Sequence, residues 1–285
     1  MTRLILSAAE RDERVRAVFL NGSRANPNAP RDRFRDYDVV YLVREVAPFL
    51  TDFSWLDVFG EELIFQFPDL NDLALPLSGQ EPPEGERVRF GILMQFVDGN
   101  RIDLTLLAAS ELDSYLREDS ETILWLDKDG RVPALPPASD RDYWAKKPGA
   151  AEYRACCNEF YWVSLNVAKG LARNELTYAH EMLDHYTRDM LLRMLSWRAG
   201  LENGWAVSTG KCGKYLNRYL PPEEYARLLA TYADGEAAHV WDALAAMYAL
   251  FRDAAVRVGA ALGYPFPSHW HDNVTAYATR IRRGD

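Results

Sequence analysis

The stretch Asp36-Tyr37-Asp38-Val39-Val40-Tyr41-Leu42-Val43 constrains this chain more tightly than any other. Its β-branched and aromatic residues predict a strand, whose side chains alternate between two faces. Asp36 and Asp38 therefore share one face, and Tyr37 and Val39 take the other. Adjacent carboxylates on an otherwise apolar strand repel each other, and burying them is costly unless a cation lies between them. A short strand at 16–20 precedes the pair and runs into Asn21-Gly22-Ser23-Arg24. A glycine turn of that kind offers backbone N–H groups to a phosphate. The two stretches together predict a nucleotide–metal site.

The rest of the chain sets the context for that site. It has 285 residues, 48% hydrophobic and 26% charged, which suits one large or two ordinary domains with real cores. No apolar run approaches the ~20 residues of a membrane span. The start of the chain lacks the apolar core and cleavage site of a secretory signal. Three cysteines, two of them the adjacent Cys156 and Cys157, argue against a disulfide framework and for a reduced, cytoplasmic setting. The net charge is −9, and residues 1–148 hold 27 acids against 18 bases while residues 149–285 are balanced at 15 and 15. The acidic surplus thus lies with the predicted site, where it repels nucleic acid and favours a cationic small molecule.

Periodicity divides the chain in two. Residues 2–16 read as a helix, and strands are expected at 16–20, 36–43, 62–67, 87–96 and 101–107, with an edge strand at 122–126. Turn-rich loops follow at 25–33 and around Pro82-Pro83-Glu84-Gly85, and Asp98-Gly99 marks a hairpin. Pro133, Pro136, Pro137 and Lys146-Lys147-Pro148-Gly149 read as a linker. Helices are expected at 152–170, 177–199, 222–233 and 236–262. In the first of these Cys156, Phe160, Val163 and Val167 form an apolar stripe, and Glu159, Trp162, Asn166 and Lys169 form a second one. His269, His271 and Asp272 read as a terminal loop rather than a metal cluster, and all three cysteines read as small buried hydrophobes.

Asp103, in Arg101-Ile102-Asp103-Leu104, supplies a third acid on another strand. If the two strands are neighbours, Asp36, Asp38 and Asp103 converge. Three hard oxygen donors suit Mg²⁺, which shares its shell with water and phosphates. Asp103 could equally take a proton from an attacking hydroxyl, and the two roles are compatible. Neither a Walker loop nor a Gly-x-Gly-x-x-Gly is present, so the metal and scattered basic residues must hold the nucleotide.

Gly22-Ser23, twelve residues, then Asp36-Tyr37-Asp38 resembles the signature of the polymerase-β-like nucleotidyltransferases. The longer runs at 21–28 and 35–43 resemble the aminoglycoside 6-adenylyltransferases, the streptomycin-modifying enzymes. The likeness continues through Cys156-Cys157-Asn158-Glu159-Phe160-Tyr161-Trp162-Val163, then 167–175, and Thr209-Gly210-Lys211-Cys212-Gly213-Lys214. Tyr161 and Ala25 stand where that family is expected to carry Trp and Thr, departures that bear on drug preference and leave the chemistry intact.

The resemblance implies an α+β fold: a nucleotidyltransferase mixed sheet with flanking helices over 1–148, then an all-α bundle over 149–285 that binds substrate and nucleotide. It implies AMP transfer from ATP, with Mg²⁺, to an aminoglycoside hydroxyl. Asp36, Asp38 and Asp103 become the catalytic and metal-binding acids. Gly22, Ser23, Arg24, Lys211 and Lys214 become nucleotide contacts. Glu159, Trp162, Lys169, Glu181 and Asp184 become substrate contacts, since acids suit a polycationic drug. No nucleic-acid or membrane partner is expected, and oligomeric state is left open. The rival readings are a nucleotidyltransferase for another antibiotic or a protein hydroxyl, and a non-catalytic binder of nucleotide or drug.

Overall fold

The computed structural model describes residues 1–71 and 87–285, so the expected loop around Pro82-Pro83-Glu84-Gly85 lies outside the described residues. The chain forms two compact units, Met1–Asp142 and Tyr143–Asp285.

The first unit opens with helix α1 (Thr2–Arg11) and strand β1 (Val15–Asn21), followed by one helical turn, α2 (Gly22–Ala25). Strands β2 (Tyr37–Val43), β3 (Glu62–Gln66), β4 (Arg89–Phe96), β5 (Arg101–Ala108) and β6 (Ile123–Asp127) complete a six-stranded mixed sheet of order β3-β4-β5-β2-β1-β6. The expected helix over 2–16 is thus too long. Asp12 takes an extended backbone, and its carboxylate accepts from the Arg14 amide and guanidinium, which ends α1 and turns the chain into β1. The Asp98-Gly99 hairpin joins β4 to β5, and Gly99 has the positive φ of 86° that such a turn needs.

The two faces of this sheet are covered unequally. Tyr37, Val39, Tyr41, Ile102, Leu104 and Leu106 pack on one face beneath Ile5 and Ala9 of α1 and beneath Phe49, Leu56 and Phe59. Tyr41 fixes α1 there by donating its hydroxyl to the Ile5 carbonyl at 2.6 Å. Each fully buried side chain of that size contributes roughly 1.5–3 kcal/mol. On the opposite face Ala17, Phe19, Val40, Leu42 and Leu107 gather under Tyr115. That cluster stops one row short of Asp38, which leaves the end of the face polar.

The second unit is all-helical. Helix α3 (Ala150–Ala172) is followed by α4 (Leu176–Glu181), a π-helical stretch at Met182–Thr187, and α5 (Arg188–Glu202). Helices α6 (Pro222–Leu229), α7 (Ala237–Leu262) and α8 (Ser268–Arg283) complete it. Cys156, Phe160 and Val167 are buried as expected, and Phe160 stacks on Phe251 of α7 with ring centroids 3.7 Å apart.

Four expectations for this unit need correcting. The run at 177–199 is interrupted by the π-helical stretch, where the Thr187 hydroxyl donates to the Met182 carbonyl at 2.8 Å. The helix expected at 222–233 ends at Leu229. His269, His271 and Asp272 lie in α8 rather than in a loop, because Trp270, Val274 and Ile281 recur at helical spacing and pack against the core. Cys212 is exposed, not buried, with a left-handed φ of 55°. Among the described residues no helix is long and apolar enough to cross a membrane.

Candidate active site

Strand β1 delivers the chain to Gly22, which has a φ of 64°. A Cβ at this position would overlap the Asp38 carboxylate, so only glycine satisfies both the left-handed backbone and the close approach. The α2 turn then returns through Asn26, whose amide donates to the Gly22 carbonyl at 2.9 Å.

Two arginines tie this turn to the acid-bearing segment. Arg24 stacks over the Tyr37 ring at 3.6 Å and donates to the Asp36 carbonyl at 3.0 Å and the Arg35 carbonyl at 2.6 Å. Arg35 donates back to the Ser23 carbonyl at 3.1 Å. Arg24, read from the sequence as a nucleotide contact, is therefore engaged in holding Asp36 and Tyr37 in place. Arg35 Nε is buried without a hydrogen-bond partner beside the same turn.

Strands β2 and β5 run parallel, in the register that sets Asp38 opposite Asp103, while Asn21 of β1 faces Asp38 from the other side. The three form one polar row across neighbouring strands, each about 4.8 Å from the next. Asp36 lies one residue before β2, on the same face as Asp38. Tyr115 donates to Asn21 Oδ1 at 2.8 Å and closes the row against the apolar cluster. Burial, reinforced by the charges of Asp103 and Asp36, pushes the Asp38 carboxyl up to about 6.

Arg101, the first residue of β5, answers part of that repulsion. Its Nε and Nη2 donate to the two oxygens of Asp103 at 2.7 and 2.9 Å, and Nε lies 3.7 Å from Asp36 Oδ2. Among the described residues no three acid, His or Cys side chains are already closed around one point where an ion could sit. The donor set nevertheless fits a hard divalent cation. It offers three carboxylates on one face, the innermost strained by its like-charged neighbours, beside a glycine turn that admits close backbone approach.

The loop after α2 is fastened to the segment around β6. Asn26 Nδ2 donates to Glu121 at 2.5 Å, and Asn28 Nδ2 donates to Asp140 at 3.2 Å. Glu121 is only 7% exposed, and burial together with the charges of Asp119 and Asp140 raises its carboxyl to about 7.

The remaining sequence-predicted residues lie in the second unit. Glu159, Trp162 and Lys169 follow one stripe of α3, with Trp162 67% exposed. Glu181 is exposed at the end of α4. Asp184 is already paired within the helical unit. Its oxygens accept from Arg188 at 2.6 Å and pair with His180 at 3.1 Å, and Arg188 is itself buried against Thr231 and Tyr232. This carboxylate is thus the counter-ion of a buried arginine in the helix packing. Lys211 and Lys214 are exposed on a tight turn in which Gly210, Cys212 and Gly213 all have positive φ.

The streptomycin adenylyltransferase family model matches residues 1–281. The chain belongs to that family. It is 37% identical to an aminoglycoside 6-adenylyltransferase of Bacillus subtilis over 99% of this chain and 96% of the relative. Identity is also 37% with a Campylobacter jejuni protein of the same description, over 98% and 94% of the two chains. A crystal structure of an aminoglycoside 6-adenyltransferase from Bacillus subtilis aligns with 35% identity and a TM-score of 0.48, covering 99% of this chain and 97% of that one.

As a member of the streptomycin adenylyltransferase family the chain is a nucleotidyltransferase, and its mixed sheet followed by an all-helical unit is the predicted α+β arrangement. Sequence reading missed Arg35, Arg101, Asn21 and Glu121. Arg101 was legible in principle, since two residues before Asp103 on a strand places it on the same face. Glu121 carried no comparable signal, because its burial depends on Asn26, 95 positions away.

Proposed function

We propose that this protein transfers AMP from MgATP to a hydroxyl of an aminoglycoside, the 6-position of streptomycin, and so confers resistance to the drug in the cytoplasm. The observation that carries this reading is the row of Asp38 and Asp103, with Asp36 beside it, set against the Gly22–Ser23 turn. Membership of the streptomycin adenylyltransferase family and the names of the relatives support the choice of drug and donor.

Asp36, Asp38 and Asp103 would hold Mg²⁺, which when bound neutralises charge on the triphosphate. The backbone of Gly22 and Ser23 receives the terminal phosphate oxygens, with Arg35 as a further donor. Arg24 keeps Asp36 in place by gripping its carbonyl. The drug hydroxyl attacks the α-phosphorus, the bond to pyrophosphate breaks, and the hydroxyl proton passes to Asp103. Glu159, Trp162, Lys169 and Glu181 contact the drug, and Lys211 and Lys214 contact the nucleotide. The acidic surplus of the first 148 residues attracts a polycation.

Incubation with MgATP and streptomycin should yield pyrophosphate and a drug species heavier by one AMP in mass spectrometry. An unmodified drug, with a panel of other aminoglycosides also unmodified, would overturn the reading.

A further inference from the structure

Arg101 has no place in the chemistry above, yet among the described residues it is the cation paired with the acids. Its guanidinium forks both oxygens of Asp103 and reaches toward Asp36, two of the three groups proposed to hold the metal. A planar fork matched to a carboxylate is among the stronger ion-pair geometries.

The position of Arg101 lets this pairing form and break. It follows directly after the hairpin, where Asn100 is bonded to Asp98 through both its amide and its side chain at 2.9 and 2.8 Å, and Gln95 donates to the Asn100 carbonyl at 3.0 Å. The backbone is thereby fixed, while the side chain remains 41% exposed with solvent to swing into. A divalent ion held by Asp103 and Asp36 would set two positive charges against the guanidinium across a few ångströms, a repulsion that weakens the hold of each cation on the shared carboxylates.

We propose that Arg101 is a resident counter-cation that competes with the metal for Asp103 and Asp36, so that loading the site is an exchange of one cation for the other. This rests on the metal reading of the acid row. Arg101 holds the carboxylates together against their own repulsion before loading and lowers their affinity for a metal in the absence of nucleotide. It is a positioning residue, acting through Asp103.

Mn²⁺ is the probe, titrated without nucleotide and followed by the electron paramagnetic resonance signal of the free ion. Arg101→Met should bind Mn²⁺ about fivefold or more tightly than wild type, the weight of one half-exposed charge contact. Arg101→Lys, which keeps the charge and loses the fork, should fall between them and serves if the Met variant fails to fold. In thermal melts without metal, Arg101→Met should unfold at a lower temperature than wild type, and Mn²⁺ should raise its midpoint more. Mn²⁺ binding by Arg101→Met no tighter than wild type, including the case in which neither binds, overturns the exchange. Asp38→Asn separates the two readings. If it binds Mn²⁺ as wild type does, the metal assignment itself fails. If it loses the ion while Arg101→Met matches wild type, only the exchange fails.

Discussion

Asp38 and Asp103 face each other directly across the parallel pair β2 and β5, two carboxylates on neighbouring strands, with the Arg101 guanidinium gripping Asp103. Such a pair opposes folding. Asp38→Asn removes the like charge without changing shape. Transfer activity should fall by at least about a hundredfold, the loss usual for a preorganised charged group at a reacting phosphate. The metal-free protein should become more stable at pH 8 by about 1–2 kcal/mol, because a mutually repelled, half-buried charge has gone. Activity assays and urea titrations of the same preparation check both parts. Lost activity without any gain in stability would contradict the strain argument.

The contact between Gly22 and Asp38 predicts a non-additive pair. Gly22→Ala introduces a Cβ into the Asp38 carboxylate and imposes a left-handed backbone on alanine. The backbone part alone costs roughly 1 kcal/mol, and the steric overlap adds to it. In an Asp38→Ala background the overlap disappears and only the backbone part remains. A double-mutant cycle by chemical denaturation should therefore give a coupling of about 1 kcal/mol or more. Additive costs would show that the turn relaxes away from Asp38.

Glu121 sets a pH dependence of stability. Its carboxyl is raised from 4.5 to about 7 by burial, so between those values the folded chain binds a proton that the unfolded chain does not. Its contribution is therefore fully present below about pH 4.5 and is lost as pH rises through 7. Glu121→Gln keeps the hydrogen-bonding shape and removes the titration. It should stabilise the protein by roughly 2 kcal/mol at pH 8 and leave stability near pH 4 almost unchanged. Melting curves at the two pH values provide the measurement, and an equal shift at both would remove Glu121 as the source.

What could be read from the sequence was whatever local periodicity and spacing determine. The alternation at 36–43 places Asp36 and Asp38 on one face, and the same rule places Asp103 opposite to Ile102 and Leu104, as the burial of those two residues bears out. That β2 and β5 would be neighbours in register was only a condition, since strand pairing is a long-range choice that alternation does not encode. The failures have local causes of another kind. Asp12 ended α1 through a side-chain hydrogen bond that competes with the helix, and the apolar spacing of α8 is carried by the widely set Trp270, Val274 and Ile281. The pairing of Asp184, expected as a substrate contact, was not legible locally, because the burial of Arg188 is decided by Thr231, 43 residues away.

That last pairing yields a test separating packing from recognition in the helical unit. Asp184 is the counter-ion of Arg188, which is 4% exposed, donates to the Thr231 hydroxyl and carbonyl at 2.6 and 2.8 Å, and lies 3.6 Å over the Tyr232 ring. Asp184→Asn leaves a buried guanidinium short of its charge partner. The partner's own partial exposure moderates the cost to about 1–2 kcal/mol. The variant should lower the urea midpoint and leave the KM for drug unchanged. Trp162→Ala should do the reverse, because two thirds of that ring is exposed and contributes little to the core, so its loss raises KM with the midpoint unmoved. Replacing Arg188 by Met in the Asp184→Asn background removes the stranded charge and should recover part of the lost stability. A raised KM in Asp184→Asn with no loss of stability would return that carboxylate to the drug.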